Sequence, residues 1–173
     1  TVRDVLTARL GDRVAYTGGC DISGDSTEGF EEAVELARRS DVAVMVMGDK
    51  AGLTDDCTSG EGRDRASLDL PGVQEDLVRA VAATGTPVVL VLVAGRPSGS
   101  PAVHDAAASV VMAWLPGRHG ADAIADVLVG DVNPGGKLPI TYPRSVGQIP
   151  VYHSHKVSGN RSHWKVDYAD LPV

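Results

Sequence analysis

The residues best placed to do chemistry lie in one polar stretch, Asp49-Lys50-Ala51-Gly52-Leu53-Thr54-Asp55-Asp56-Cys57-Thr58-Ser59-Gly60-Glu61-Gly62-Arg63-Asp64-Arg65. Glu61 stands between two glycines. Glycine lets the backbone swing and approach a ligand closely. A carboxylic acid on such a loop could donate a proton to a leaving-group oxygen. The plainer alternative is a solvated turn with Glu61 exposed, beside which Asp64 and Arg65 form a surface pair of small energetic weight. Asp55 and Asp56 are rival acids on the same stretch.

Other reactive types are scattered. Cys20 and Cys57 lack metal-ligand spacing and read as two unpaired thiols, or as one bridge between loops. His104, His119, His153, His155 and His163 form no HExxH or similar ligand set, so no metal is expected. His104 is expected on a short surface helix and His119 at a helix entrance, in a capping or surface role. Trp114 and Trp164 offer flat apolar faces for stacking, although Trp114 ends an expected strand and reads as core or interface. No GxGxxG follows a strand and no GxSxG occurs. Residues 130–137 miss the spacing of a phosphate loop, with Leu138 where Ser or Thr is needed.

The elements that must position these residues are legible as apolar patterns. Val42–Met47, Pro87–Val93 and Ser109–Trp114 are short, largely β-branched runs bounded by turn residues and read as strands. Arg13–Thr17 reads as a weaker fourth. Phe30, Ala33, Val34 and Ala37 recur at helical spacing, with Arg38 and Arg39 at the last turn. Val73, Leu77, Ala80 and Val81 mark a second helix, entered through Pro71. Ala121, Ile124, Ala125 and Leu128 mark a third, closed by Gly130. Residues 1–9 form a further short helix. Such alternation predicts βαβ units. The expected fold class is α/β: a mostly parallel sheet sandwiched between helices, with flavodoxin-like layering and six or so strands. The polar stretch then leaves the C-terminal end of a central strand, the edge where open α/β sheets place ligands.

Composition narrows the field. Hydrophobic residues make up 43% of the 173 residues and aromatics only 4%, so the core is aliphatic, as suits buried parallel strands. The net charge of -7, with no basic cluster, argues against a nucleic-acid partner. No apolar run is long enough for a membrane span. The opening Thr1-Val2-Arg3-Asp4 does not read as a signal peptide. Without an initiator Met, it is expected to be a fragment or a processed form.

Several blocks in order resemble the second domain of family 3 glycoside hydrolases of the β-glucosidase type. They are Ser59-Gly60-Glu61-Gly62-Arg63-Asp64-Arg65 with Leu68-Asp69-Leu70-Pro71-Gly72-Val73-Gln74, then Ala113-Trp114-Leu115-Pro116-Gly117, then Gly120–Leu128. Gly130-Asp131-Val132-Asn133-Pro134-Gly135-Gly136-Lys137-Leu138-Pro139 and Thr141-Tyr142-Pro143 complete the set, with Gly135 where the family usually has Ser. Ala33–Ala37 and Asp41–Val44 with Gly48 resemble the family's first helix and strand.

The resemblance implies a retaining β-glycosidase in which a preceding TIM-like barrel supplies an Asp nucleophile and this domain supplies the acid/base. That role falls on Glu61. Asp55 and Asp56 lack the flanking glycines and rank below it. Asp64 and Arg65 would either brace the loop, Arg65 bonding Asp64 or a backbone carbonyl, or shape the sugar site. The tail segment Val151–Ser162 resembles one that runs near the active-site mouth, which puts His155 and Lys156 forward as weaker substrate contacts. No cofactor is implied. The expected partners are the barrel and a β-glycoside. The expected organisation is one domain over 1–173 with an extended tail over 131–173 and the barrel absent, so that the isolated chain is inactive. Two other readings stay open: a non-catalytic domain that braces a barrel and binds sugar, and a flavodoxin-like ligand-binding domain of unrelated function.

Overall fold

The computed structural model describes residues 1–149. Helix α1 (Val2–Leu10) starts at Thr1, whose side chain accepts from the Asp4 amide while Asp4 reaches back, a capping box. Helix α2 (Phe30–Arg38) buries Ala33 and Ala37, the middle of its apolar stripe. Strand β1 (Ala43–Gly48) follows. Helix α3 (Gln74–Ala82) crosses to β2 (Val88–Val93). The short α4 (Pro101–Ala106), capped by Ser100 with Pro101 in its first turn, leads to β3 (Ser109–Met112). Helix α5 (Gly120–Val129) ends at Gly130.

The three strands pair in the order β1-β2-β3, both pairs parallel. Parallel neighbours need a crossover, and α3 and α4 supply them. β2 is central, with Val88, Leu90, Val91 and Leu92 at 1% exposure or less. Leu90 and Leu92 face Met45 and Met47 in register. With Leu77, Val78 and Val81 of α3, Ala33 and Ala37 of α2 and Val103 of α4, they build the main core. α1 packs on α5, where Arg9 pairs with Asp126 at 2.5 Å.

β1 differs from β2. Its Met45 is buried, but Val42, Val44 and Val46 are 49%, 38% and 45% exposed. Ala43 and Asp49 donate their amides to Pro87 and Val93 on the β2 side. The alternate residues, Val44 and Val46, therefore direct their backbone groups to the opposite edge. No other strand meets that edge among the described residues.

The fold class is the α/β class expected, and three parallel strands are described where six or so were expected. Arg13–Thr17 is not a strand. Arg13 closes a single 3-10 turn, and Val14–Thr17 has no ladder partner among the described residues. Its β-branched pattern alone supplies no interstrand hydrogen bonds. β3 stops at Met112, short of Trp114, which has φ 55, a left-handed backbone that no strand continues through. Of the expected tail, residues 131–149 carry one 3-10 turn, Val146–Gln148. Val132, Leu138, Ile140 and Ile149 on it are each at least half exposed. His153, His155, Lys156, His163 and Trp164 lie outside the described residues.

Candidate catalytic loop

The polar excursion starts where β1 ends. Asp49 donates its amide to Val93, and the chain then doubles back on itself. Lys50 accepts from the Thr58 amide at 2.9 Å, and Gly52 donates to Ser59 at 3.1 Å. The Thr58 hydroxyl donates to Asp49 Oδ1 and accepts from the Lys50 amide, both at 3.0 Å. Ser59 is buried at 2% exposure.

Immediately beyond it, the Arg63 amide donates to the Gly60 carbonyl at 3.1 Å and closes a four-residue turn with Glu61 and Gly62 at its tip. Both glycines are required. Gly60 has φ 128, and a Cβ there would lie 2.4 Å from the Gly52 oxygen. Gly62 has φ 69, which suits the third position of a turn that only glycine adopts cheaply. From the sheet side, Arg96 holds the turn by donating to the Arg63 carbonyl at 3.0 Å.

This geometry treats the acids of the loop unequally. Asp55 pairs with Arg63 at 2.7 Å. Asp56 accepts from Lys50 and from Thr54, and these bonds hold its carboxyl down at about 2. The same pairing pushes the Lys50 ammonium up. Asp56 is thereby engaged as a carboxylate by its own loop. Glu61 is exposed and makes no hydrogen bond or ion pair among the described residues. Asp64 is likewise exposed and without such a partner, whereas Arg65 donates to the Asp69 carbonyl at 3.1 Å and ties down the loop's outgoing arm. No Asp64–Arg65 pair forms among the described residues.

Two side chains that sequence patterns did not single out for a role close the loop at its base. Gln74, 1% exposed, bonds to both the amide and the carbonyl of Gly48. Glu75, 8% exposed, accepts from the Leu70 and Ser100 amides and from the Ser100 hydroxyl. The available signal was helical phase. Gln74 precedes Leu77, Val78 and Val81 by three, four and seven positions, so a polar residue heads the buried stripe.

The remaining candidates lie elsewhere. His104, expected at the surface, is half-buried. Its Nε2 lies 3.0 Å from the Ser98 carbonyl, and its ring meets Tyr142 edge-on. The helix is too short and too close to the tail to leave the ring in solvent. His119 is exposed at the start of α5, with no side-chain cap and Nδ1 3.9 Å from Asp122. Cys20 and Cys57 are free thiols. Cys20 packs against the core, where burial and then the Asp21 charge push its thiol up. No group of three His, Cys, Asp or Glu side chains is placed to hold a metal among the described residues.

Comparison with known proteins agrees with this architecture. The chain is 46% identical over 153 residues to a β-xylosidase of Formosa agariphila, which covers 87% of the chain and 20% of that protein. It is 46% identical over 130 residues to a periplasmic β-glucosidase of Salmonella typhimurium, covering 75% of the chain and 16% of that protein. Its fold matches the crystal structure of a β-glucosidase from Listeria innocua in complex with isofagomine with a TM-score of 0.75 at 29% identity, over 88% of this chain and 22% of that one. The chain thus spans about a fifth of the length of these relatives. The model of the glycosyl hydrolase family 3 C-terminal domain matches residues 1–169. The chain belongs to that family and represents the C-terminal domain of β-glucosidase- and β-xylosidase-like enzymes.

Proposed function

We propose that this domain supplies Glu61 as the acid/base of a retaining β-glycosidase whose sugar site and Asp nucleophile lie in a barrel domain of the longer protein. One observation carries the reading: Asp55 and Asp56 are held by cations, and of the two unpaired acids, Glu61 and Asp64, only Glu61 stands at the tip of the glycine-bounded turn beyond the C-terminal end of β1.

In the first step the Asp carboxylate attacks C1 of the sugar. The C1–O bond breaks, and the Glu61 proton passes to the departing oxygen. In the second step the Glu61 carboxylate takes a proton from water as the water oxygen displaces the Asp at C1. This needs the two carboxyls about 5–5.5 Å apart. A barrel packed over the tip would take Glu61 out of water, which favours the proton-bearing form that the first step consumes. Asp64 would face the same cleft from the adjoining position, with Arg65 bonded to the Asp69 carbonyl and bracing the segment that follows. His155 and Lys156 remain candidates for contacts at the mouth. The exposed apolar residues of 132–149 supply a surface for such a partner.

The test is Glu61→Ala in the full-length enzyme. We expect kcat to fall about 10²–10⁴-fold on glycosides with poor leaving groups. Activated aryl glycosides should lose far less, and azide should restore turnover of them. An equal loss on both substrate classes would leave a bracing, non-catalytic domain. On this reading the isolated 173-residue chain should release no nitrophenol from aryl β-glucosides or β-xylosides.

A further inference from the structure

We propose that Gln74 is a positioning residue for Glu61, its carboxamide locking the two ends of the catalytic loop to each other. The inference rests on the acid/base reading of Glu61 and extends it to a residue that touches neither substrate nor Glu61.

Gly48 and Gln74 stand 26 positions apart, one the last residue of β1 and the other the first of α3, at the two ends of the connection that contains the loop. Gln74 Oε1 accepts from the Gly48 amide at 2.8 Å. Its Nε2 donates to the Gly48 carbonyl at 2.9 Å and to the Ile22 carbonyl at 2.8 Å. A carboxamide carries one acceptor oxygen and two N–H donors, and here both donors and the oxygen are engaged. The bonds to Gly48 copy those a neighbouring strand would make, on the edge of β1 away from β2. A carboxylate offers no donor for the two carbonyls. An aliphatic side chain would leave both backbone groups of Gly48 without partners in a buried place, and the Ile22 carbonyl would lose its bond.

From this clamp a continuous path of hydrogen bonds leads to the turn. The amide after Gly48, that of Asp49, is fixed to Val93. The Asp49 carboxylate and both backbone groups of Lys50 hold Thr58, and Gly52 holds Ser59. Ser59 is followed by Gly60, the first residue of the turn that carries Glu61. A shift at the root is therefore handed to the tip with little slack. A misplacement of about 1 Å at a reacting group can cost about 10²-fold in rate.

The experiment uses the full-length enzyme with Gln74→Glu, Gln74→Met and Glu61→Ala, and with each Gln74 variant combined with Glu61→Ala. Gln74→Glu keeps the volume and the acceptor for the Gly48 amide, and it carries the test if Gln74→Met fails to fold. We expect the Gln74 variants to lower kcat about tenfold or more on poor leaving groups with KM little changed. Activated aryl glycosides should be almost unaffected. In the Glu61→Ala background the Gln74 substitution should have no further effect, since a residue acting through Glu61 cannot act when it is gone. A uniform loss across leaving groups, or a full further loss in the Glu61→Ala background, would overturn the proposal and leave Gln74 a purely structural residue. If Glu61→Ala itself lost activity equally on all leaving groups, the acid/base reading would fall and this one with it.

Discussion

Asp56 and Glu61 share one loop and are held in opposite ways. The Asp56 carboxyl sits at about 2, well under its ordinary 3.8, because Lys50 and Thr54 donate to it. A carboxyl lowered in the folded state adds stability above its unfolded value, and that contribution is lost as pH falls through the folded one. The Lys50–Asp56 tie should therefore hold above about pH 4 and release towards pH 2. Replacing Lys50 with Met should move the Asp56 titration midpoint, followed by carboxyl NMR, up towards 3.8. No movement would mean that the pair does not form. At Gly60, substitution by Ala forces a side chain onto the Gly52 oxygen and an unfavourable φ. We expect a loss of about 1–3 kcal/mol in urea unfolding. The glycines mark Glu61 as an acid on a freely shaped loop, because their backbone freedom is written in residue type; the acid/base role itself comes from the family resemblance. Gln74 was not legible in that way. Its partners are backbone groups of Gly48 and Ile22, far off in sequence, and no local pattern announces them.

Elements whose hydrophobic pattern is unbroken were read correctly from the chain. Val88–Val93 is apolar throughout and becomes the central strand, and Phe30, Ala33 and Ala37 become the inward face of α2. The segment Val14–Thr17 shows the limit of such reading. Strand propensity is a preference for a pleated, half-buried neighbour, and without a neighbour it yields no strand. Position in the sheet should dominate energetics in the same manner. Leu90→Ala in β2, at 0% exposure, should cost about 2–5 kcal/mol. Val46→Ala in β1, at 45% exposure, should stay within about 0.5 kcal/mol. Denaturant midpoints of the two variants test this contrast directly, and equal losses would refute the assignment of β1 to the edge.

At the scale of the whole molecule the described sheet is open on the β1 side. Val42, Val44 and Val46 line a row of backbone groups that no described strand meets. Exposed apolar edges recruit other chains. The isolated chain should therefore self-associate at micromolar concentration, and Val44→Lys should return it towards monomer in sedimentation velocity. A monomeric wild-type chain would show that the edge is already covered. The α/β class and the parallel direction were readable from the order of elements. The strand count was not, because pairing depends on which segments meet in space.

The mutual pinning of Gly48 and Gln74 also separates the fate of the loop from that of the sheet. An insertion at the outer bend near Asp55 lengthens a ring that is already shut at its neck. Doubling the length of such a ring costs only about 0.6 kcal/mol. The fold can thus accept insertions of different size and chemistry at this point while the sheet beneath the clamp stays as it is.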